Sequence, residues 1–156
     1  MISPADAPFP DRMSKDILRE LPIINFEGKI ELINADSQLD GVMEEIRRES
    51  ILGFDTETKP TFRREDEVRP PALLQLATRQ TAWLFQLRQL TKIDEVLSIL
   101  ADVEITKVGV APHDDIKGLN RISPFADAGF IDLGLIASQR GIITTGLRNL
   151  AGMFLN

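Results

Sequence analysis

The sequence predicts an α/β domain, a mixed β-sheet flanked by helices. Three observations carry that expectation. Stretches alternating with the strand period interleave with stretches of helical period along the 156 residues. Two short apolar strands in the middle of the chain are separated by only Arg79 and Gln80, so a hairpin interrupts any purely parallel arrangement. The length suits one domain, which at this size buries roughly 68–70% of its unfolded surface and needs no covalent staples.

Each element has its own signal. Residues 1–27 read as an N-terminal extension: Pro4, Pro8 and Pro10 leave its start with few anchors, and Ser14 can cap a short helix through Leu21. "GKIELI" (28–33) alternates as a strand. Ser37 is positioned to cap a helix to about Glu49, with Leu39, Val42, Met43 and Ile46 on one face. "ILGFDTE" (51–57) is an apolar strand running into acids, and "TKPTFRREDEVRPP" (58–71) is a charged loop with three prolines. "ALLQLAT" (72–78) and "TAWLFQL" (81–87) form the hairpin, although the usual Gly or Asn is missing from its turn. "TKIDEVLSILAD" (91–102) has helical spacing at Ile93, Val96, Leu97 and Leu100, and "TKVGV" (106–110) is a buried strand. "HDDIKGLNRI" (113–122) is a helix opened by acids, which suit its N-terminal dipole. "FIDLGLIASQRG" (130–141) passes from strand to helix and stops at Gly141, and Thr144 or Thr145 caps a last helix.

Composition narrows the function. Apolar residues make up 43% and charged residues 27% of the chain, an ordinary globular mix. There is no cysteine, hence no disulfide and no thiolate metal site. That fits a reducing compartment, and a cytoplasmic location is the expectation. No apolar run approaches the length of a membrane span, so no membrane partner is expected, and the start is too polar for a secretory signal. Twenty-four acidic residues against 18 basic ones leave a net charge of −6, which counts weakly against a nucleic-acid partner. Net charge bears on solubility and steering rather than fold, and an enzyme that gathers carboxylates around cations can be acidic and still grip phosphates locally.

The carboxylates are the chemical signal. On a strand, Asp55 and Glu57 point one way and Thr56 the other. Two anions on one side repel, and a hard cation such as Mg²⁺ or Mn²⁺ between them relieves that cost. The bland alternative is a solvated strand end. Asp114 and Asp115 follow the strand 106–110, with simple helix capping as their alternative. Asp132 reads as a strand-end acid, structural or peripheral rather than a ligand. His113, the one histidine, reads as a helix-start surface residue more than as a base. Trp83 has the face to stack on a base, but its apolar strand pattern points to core packing.

Taken in order, these segments resemble the DEDD family of 3′–5′ exonucleases, most closely the branch of ribonuclease D and the Werner-type exonucleases. The likeness covers about residues 28–156. "GFDTET" looks like the family's first motif, "PALLQLATRQTAWLFQL" like its second and third strands, and "KVGVAPHDDIKGL" like its second motif, where the acid's role falls on Asp115. The resemblance implies a ribonuclease-H-like sheet and removal of nucleotides from the 3′ end of DNA or RNA. It implies Asp55, Glu57 and Asp115 as catalytic metal ligands for two Mg²⁺ or Mn²⁺ ions about 4 Å apart. Asp55 would bridge both ions, Glu57 would hold one and orient the terminal nucleotide, and Asp115 would bind the other. A single-stranded or 3′-ended nucleic acid is the implied partner. Lys59, Arg63 and Arg64 are the candidates to meet its phosphates, although alternation with Glu65, Asp66 and Glu67 also fits a solvated charge run.

The family's third motif, a helix with Tyr or His four or five residues before a final Asp, has no counterpart here. The chain contains no tyrosine and stops at Asn156. The resemblance therefore implies a missing C-terminal segment, and with it the fourth ligand and the group that orients the attacking water. On this expectation the chain as given is barely active or inactive. A catalytically inactive nucleic-acid- or protein-binding module on the same fold is the rival class. A small-molecule phosphatase or nucleotidase is less favoured, because no glycine-rich phosphate cradle is present.

Overall fold

The computed structural model describes residues 10–59 and 69–155. Its centre is one six-stranded sheet in the order β1-β4-β3-β2-β5-β6. The strands are β1 (Lys29–Ile33), β2 (Ile51–Glu57), β3 (Leu73–Ala77), β4 (Thr81–Gln86), β5 (Thr106–Gly109) and β6 (Phe130–Asp132). β3 runs antiparallel to both β2 and β4, whereas β1 pairs with β4, β5 with β2, and β6 with β5 in parallel. The hairpin thus makes the sheet mixed, as expected. Its turn needs no glycine because the Thr78 hydroxyl accepts from the amides of Gln80 (3.2 Å) and Thr81 (3.1 Å). A threonine side chain here does what a backbone carbonyl does in an ordinary turn.

Among the described residues six α-helices accompany the sheet: α1 (Lys15–Glu20), α2 (Leu39–Ile46), α3 (Ile93–Ala101), α4 (His113–Asn120), α5 (Leu133–Gln139) and α6 (Leu147–Phe154). None is long and apolar enough to cross a membrane. Ser14 caps α1 as anticipated, its hydroxyl accepting from Ile17 N. Ser37 does not cap α2. Residues 36–38 form a 3-10 turn, and the Gln38 carboxamide accepts from the amides of Asn34 and Ala35 instead. Nor do Thr144 or Thr145 cap the last helix, whose N-cap is Gly146.

One face of the sheet is packed. Leu52 and Phe54 of β2, Leu74 and Leu76 of β3, Trp83 and Phe85 of β4 and Ile33 of β1 join Leu39, Val42, Met43 and Ile46 of α2, four residues of α3, and Ile116 and Leu119 of α4 in one core. Trp83 belongs to this core and is not a surface stacking platform. Along β2, burial alternates strictly, so the apolar Ile51 is 61% exposed, on the face that also bears Asp55 and Glu57. A second cluster, Ala137, Ile142, Leu150 and Met153, packs with Met13 and Val110. It ties the described part of the N-terminal extension to the end of the chain, and Ile143 N donates to Asp11 O across it.

Lys107 is fully buried in β5. Its ammonium donates to the carbonyls of Asp102 and Ile105, each at 2.6 Å, and lies 5.4 Å from the centre of the Phe130 ring. It knots the turn from α3 into β5. Burial pulls its pKa below the ordinary 10.5, against the opposing attraction of Asp102. Lys107→Ala should cost about 3 kcal/mol in urea unfolding, because it leaves a cavity and two carbonyls without a donor. The unfolded lysine holds its proton more tightly than the folded one. The parent should therefore gain stability relative to the variant as pH rises toward 10.5.

Candidate active site

The site is built where β2 ends against α4. Strand alternation sends Asp55 and Glu57 to the open face of the sheet, where both are exposed, and Thr56 to the packed face, where it is one of two buried polar residues among those described. α4 lies close under this strand end. A Cβ on Gly118 would come within 2.8 Å of Pro71 Cδ, so only glycine at that helix position lets α4 approach the end of the 58–71 loop. The approach brings the first turn of α4 to β2.

Asp115, in that first turn, is half-buried, and its Oδ1 accepts from the Thr56 hydroxyl at 2.5 Å. Burial pushes the Asp115 carboxyl above the usual carboxylate range. The Thr56 hydrogen bond opposes that rise, and the negative charges of Asp55 and Asp114 add to it. Asp55 turns back on its own strand, Oδ1 accepting from Thr56 N at 2.9 Å. Thr56 thus touches both acids: its amide donates to Asp55 and its hydroxyl to Asp115.

Asp115 and Asp55 therefore share one neighbourhood at the end of the sheet, and Glu57 sits two residues on along the same face as Asp55. Among the described residues, however, no three His, Cys, Asp or Glu side chains lie close enough to hold one ion. The donor set is chemically right for Mg²⁺ or Mn²⁺, because every candidate ligand is a carboxylate oxygen and the mutual repulsion felt by Asp115 is what a cation relieves. Lys59 is exposed just beyond Glu57, and Arg63 and Arg64 lie outside the described residues. His113 is exposed at the start of α4, and Asp114 faces solvent beside Lys117 (3.5 Å).

Two features escaped the sequence reading. Thr56 was legible only as the polar member of an otherwise apolar buried row, Leu52, Phe54, Thr56. Asp132 is the N-cap of α5, its Oδ1 accepting from Gly134 N (2.8 Å) and Leu135 N (3.3 Å). The acid directly before "LGL" was the available signal for that cap.

Residues 30–156 match the family model described as 3′–5′ exonuclease. The chain is 32% identical over 138 residues to the exonuclease 3′–5′ domain-containing protein 2 of Drosophila melanogaster, and covers 83% of this chain but 23% of that protein. Among solved structures it resembles the EXD2 exonuclease domain soaked in Mg and dGMP, at 26% identity and a TM-score of 0.59 over 72% of this chain and 60% of that one. The same domain soaked in Mn and GMP aligns at 25% identity and a TM-score of 0.58, over 77% of this chain and 65% of the other. Escherichia coli RNase D shares the fold at 23% identity and a TM-score of 0.60, covering 73% of this chain and 28% of that one. The chain thus spans less than a quarter of the curated relative and under two thirds of the solved chains. An acid-bearing strand end, a mixed sheet wound in this order and a family match across nearly all of it lead to one conclusion: the chain belongs to the 3′–5′ exonuclease family.

Proposed function

We propose that the site hydrolyses the terminal phosphodiester at the 3′ end of a nucleic-acid strand, with Mg²⁺ or Mn²⁺ held by Asp55, Glu57 and Asp115. The observation that carries this reading is the Thr56–Asp115 hydrogen bond, which brings the acid of α4 to the strand end that bears Asp55. Support also comes from the EXD2 domain, which was soaked with Mg or Mn together with dGMP or GMP. When bound, a pair of such ions supplies the activated water and steadies the departing 3′-oxygen.

The protein's own part is to bind and to aim. Asp55 and Glu57 stand on the open face of the sheet, where a strand end can reach them. Asp115 adds a carboxylate from a second element, and with Asp55 and Glu57 it would hold the cation from the sheet and a helix together. Thr56 holds both acids in place. Lys59, exposed two residues beyond Glu57, is the candidate to meet a phosphate, as are Arg63 and Arg64, which lie outside the described residues. The scarcity of pre-gathered ligands predicts weak metal uptake by this chain alone, because Mg²⁺ releases its waters reluctantly.

The test is a 5′-labelled single strand and a recessed duplex, of DNA and of RNA, incubated with the protein and Mg²⁺ or Mn²⁺. A single-nucleotide ladder should form. It should be slow, since misplacing a reacting group by about 1 Å costs about 10²-fold. Chelator and Asp55→Ala should each abolish it. Strand binding left unchanged both by chelator and by Asp55→Ala, with no ladder under any condition, would replace this reading with the binding module.

Thr56→Val keeps the shape of the side chain and removes the hydroxyl. It should destabilise the fold by about 1–2 kcal/mol in urea, because a half-buried carboxyl loses its donor. The same change should weaken Mn²⁺ uptake about tenfold, the scale on which outer partners tune a metal site. Unchanged uptake would show that Asp115 needs no help from Thr56.

A further inference from the structure

We propose that Asp132 is a positioning residue for Asp115 and acts through the turn that opens α4. The inference rests on the reading above that Asp115 is a working part of the site. Asp132 ends β6 opposite Gly109 of β5, so its side chain stands at the mouth of the β5–α4 turn. As a cap for α5 it needs only the amides of Gly134 and Leu135. The same oxygen also accepts from Ala111 N at 3.0 Å, across 21 residues of sequence. The fit is tight: a Cβ at Gly134 would lie 3.1 Å from that oxygen.

Ala111 is where the chain leaves β5 for α4. Its φ is +52°, and among the described residues it is the one non-glycine in the left-handed region. That conformation disfavours any residue with a Cβ, and it persists where the surroundings hold it. The Asp132 carboxylate is the hydrogen-bonding group that holds it, through a charge-assisted acceptor. Pro112, the N-cap of α4 with its stiff ring, comes next, and Asp115 follows within the first turn. With Pro112 rigid, the aim of that turn is set by where Ala111 is pinned. Asp115 is then fixed from two sides, by Thr56 on β2 and by Asp132 through the backbone of the turn. One carboxylate oxygen thereby couples the start of α5 to the start of α4.

Asp132→Ser separates the two roles. A serine still caps α5, but its shorter side chain does not reach Ala111. Asp132→Asn keeps an acceptor oxygen at full reach. Each variant and the parent would be compared by urea unfolding, by the NMR signature of the Thr56 side chain in metal-free protein, and by Mn²⁺ titration calorimetry. The serine variant should stay folded, lose the parent's Thr56 signature and need about tenfold more Mn²⁺ for half-saturation, with the asparagine variant restored to within about threefold of the parent. A folded serine variant with the parent's Thr56 signature would overturn the proposal. Should the parent take up no Mn²⁺, the metal reading fails, and the Thr56 signature alone still decides this claim. Should Asp132→Ser not fold, Asp132→Thr, a second short cap, is measured in its place. Failure of both to fold would also overturn the proposal, because Asp132 would then serve the fold as a whole and not the aim of Asp115.

Discussion

The contact on which this site depends is the hydrogen bond from Thr56 to Asp115. Asp115 is a half-buried acid beside two other acids, and both burial and that company favour its protonated form. The Thr56 hydroxyl is the donor that offsets this and keeps the carboxyl aimed at the strand. Everything around it serves the same approach: Gly118 lets α4 lie against Pro71, and β5, paired in register with β2, delivers the chain to the start of that helix. The Thr56 hydroxyl holds Asp115 and the Thr56 amide holds Asp55, and neither donor adds charge to the pair.

The sheet divides the labour between its faces. The packed face carries the core and Thr56, and the open face carries Asp55 and Glu57. Exposure keeps the two anions solvated, so their mutual repulsion costs little in the absence of a cation. The same face bears exposed Ile30, Leu32 and Ile51.

Much of this was legible from residue patterns. The row Leu39, Val42, Met43, Ile46 predicted the buried face of α2, and alternation in "ILGFDTE" placed both acids on one side of β2. Family order singled out Asp115 rather than Asp114, and in the structure it is Asp115 that meets β2 while Asp114 faces solvent. What escaped notice was partner choice across long sequence separations. Thr56 and Asp115 are 59 residues apart, and Asp132 and Ala111 are 21 apart. Period tells which way a side chain points but not which atom it meets. Local capping rules failed at Ser37 for a related reason: the carboxamide of Gln38 reaches back to two amides and tightens the turn first.

The most direct measurement is an anomalous-scattering map of crystals grown with Mn²⁺ and a nucleoside monophosphate. The account predicts a manganese peak within about 2.5 Å of carboxylate oxygens of both Asp55 and Asp115, with Thr56 still donating to Asp115. Manganese bound elsewhere on the protein, with Asp55 and Asp115 taking no part, would contradict it.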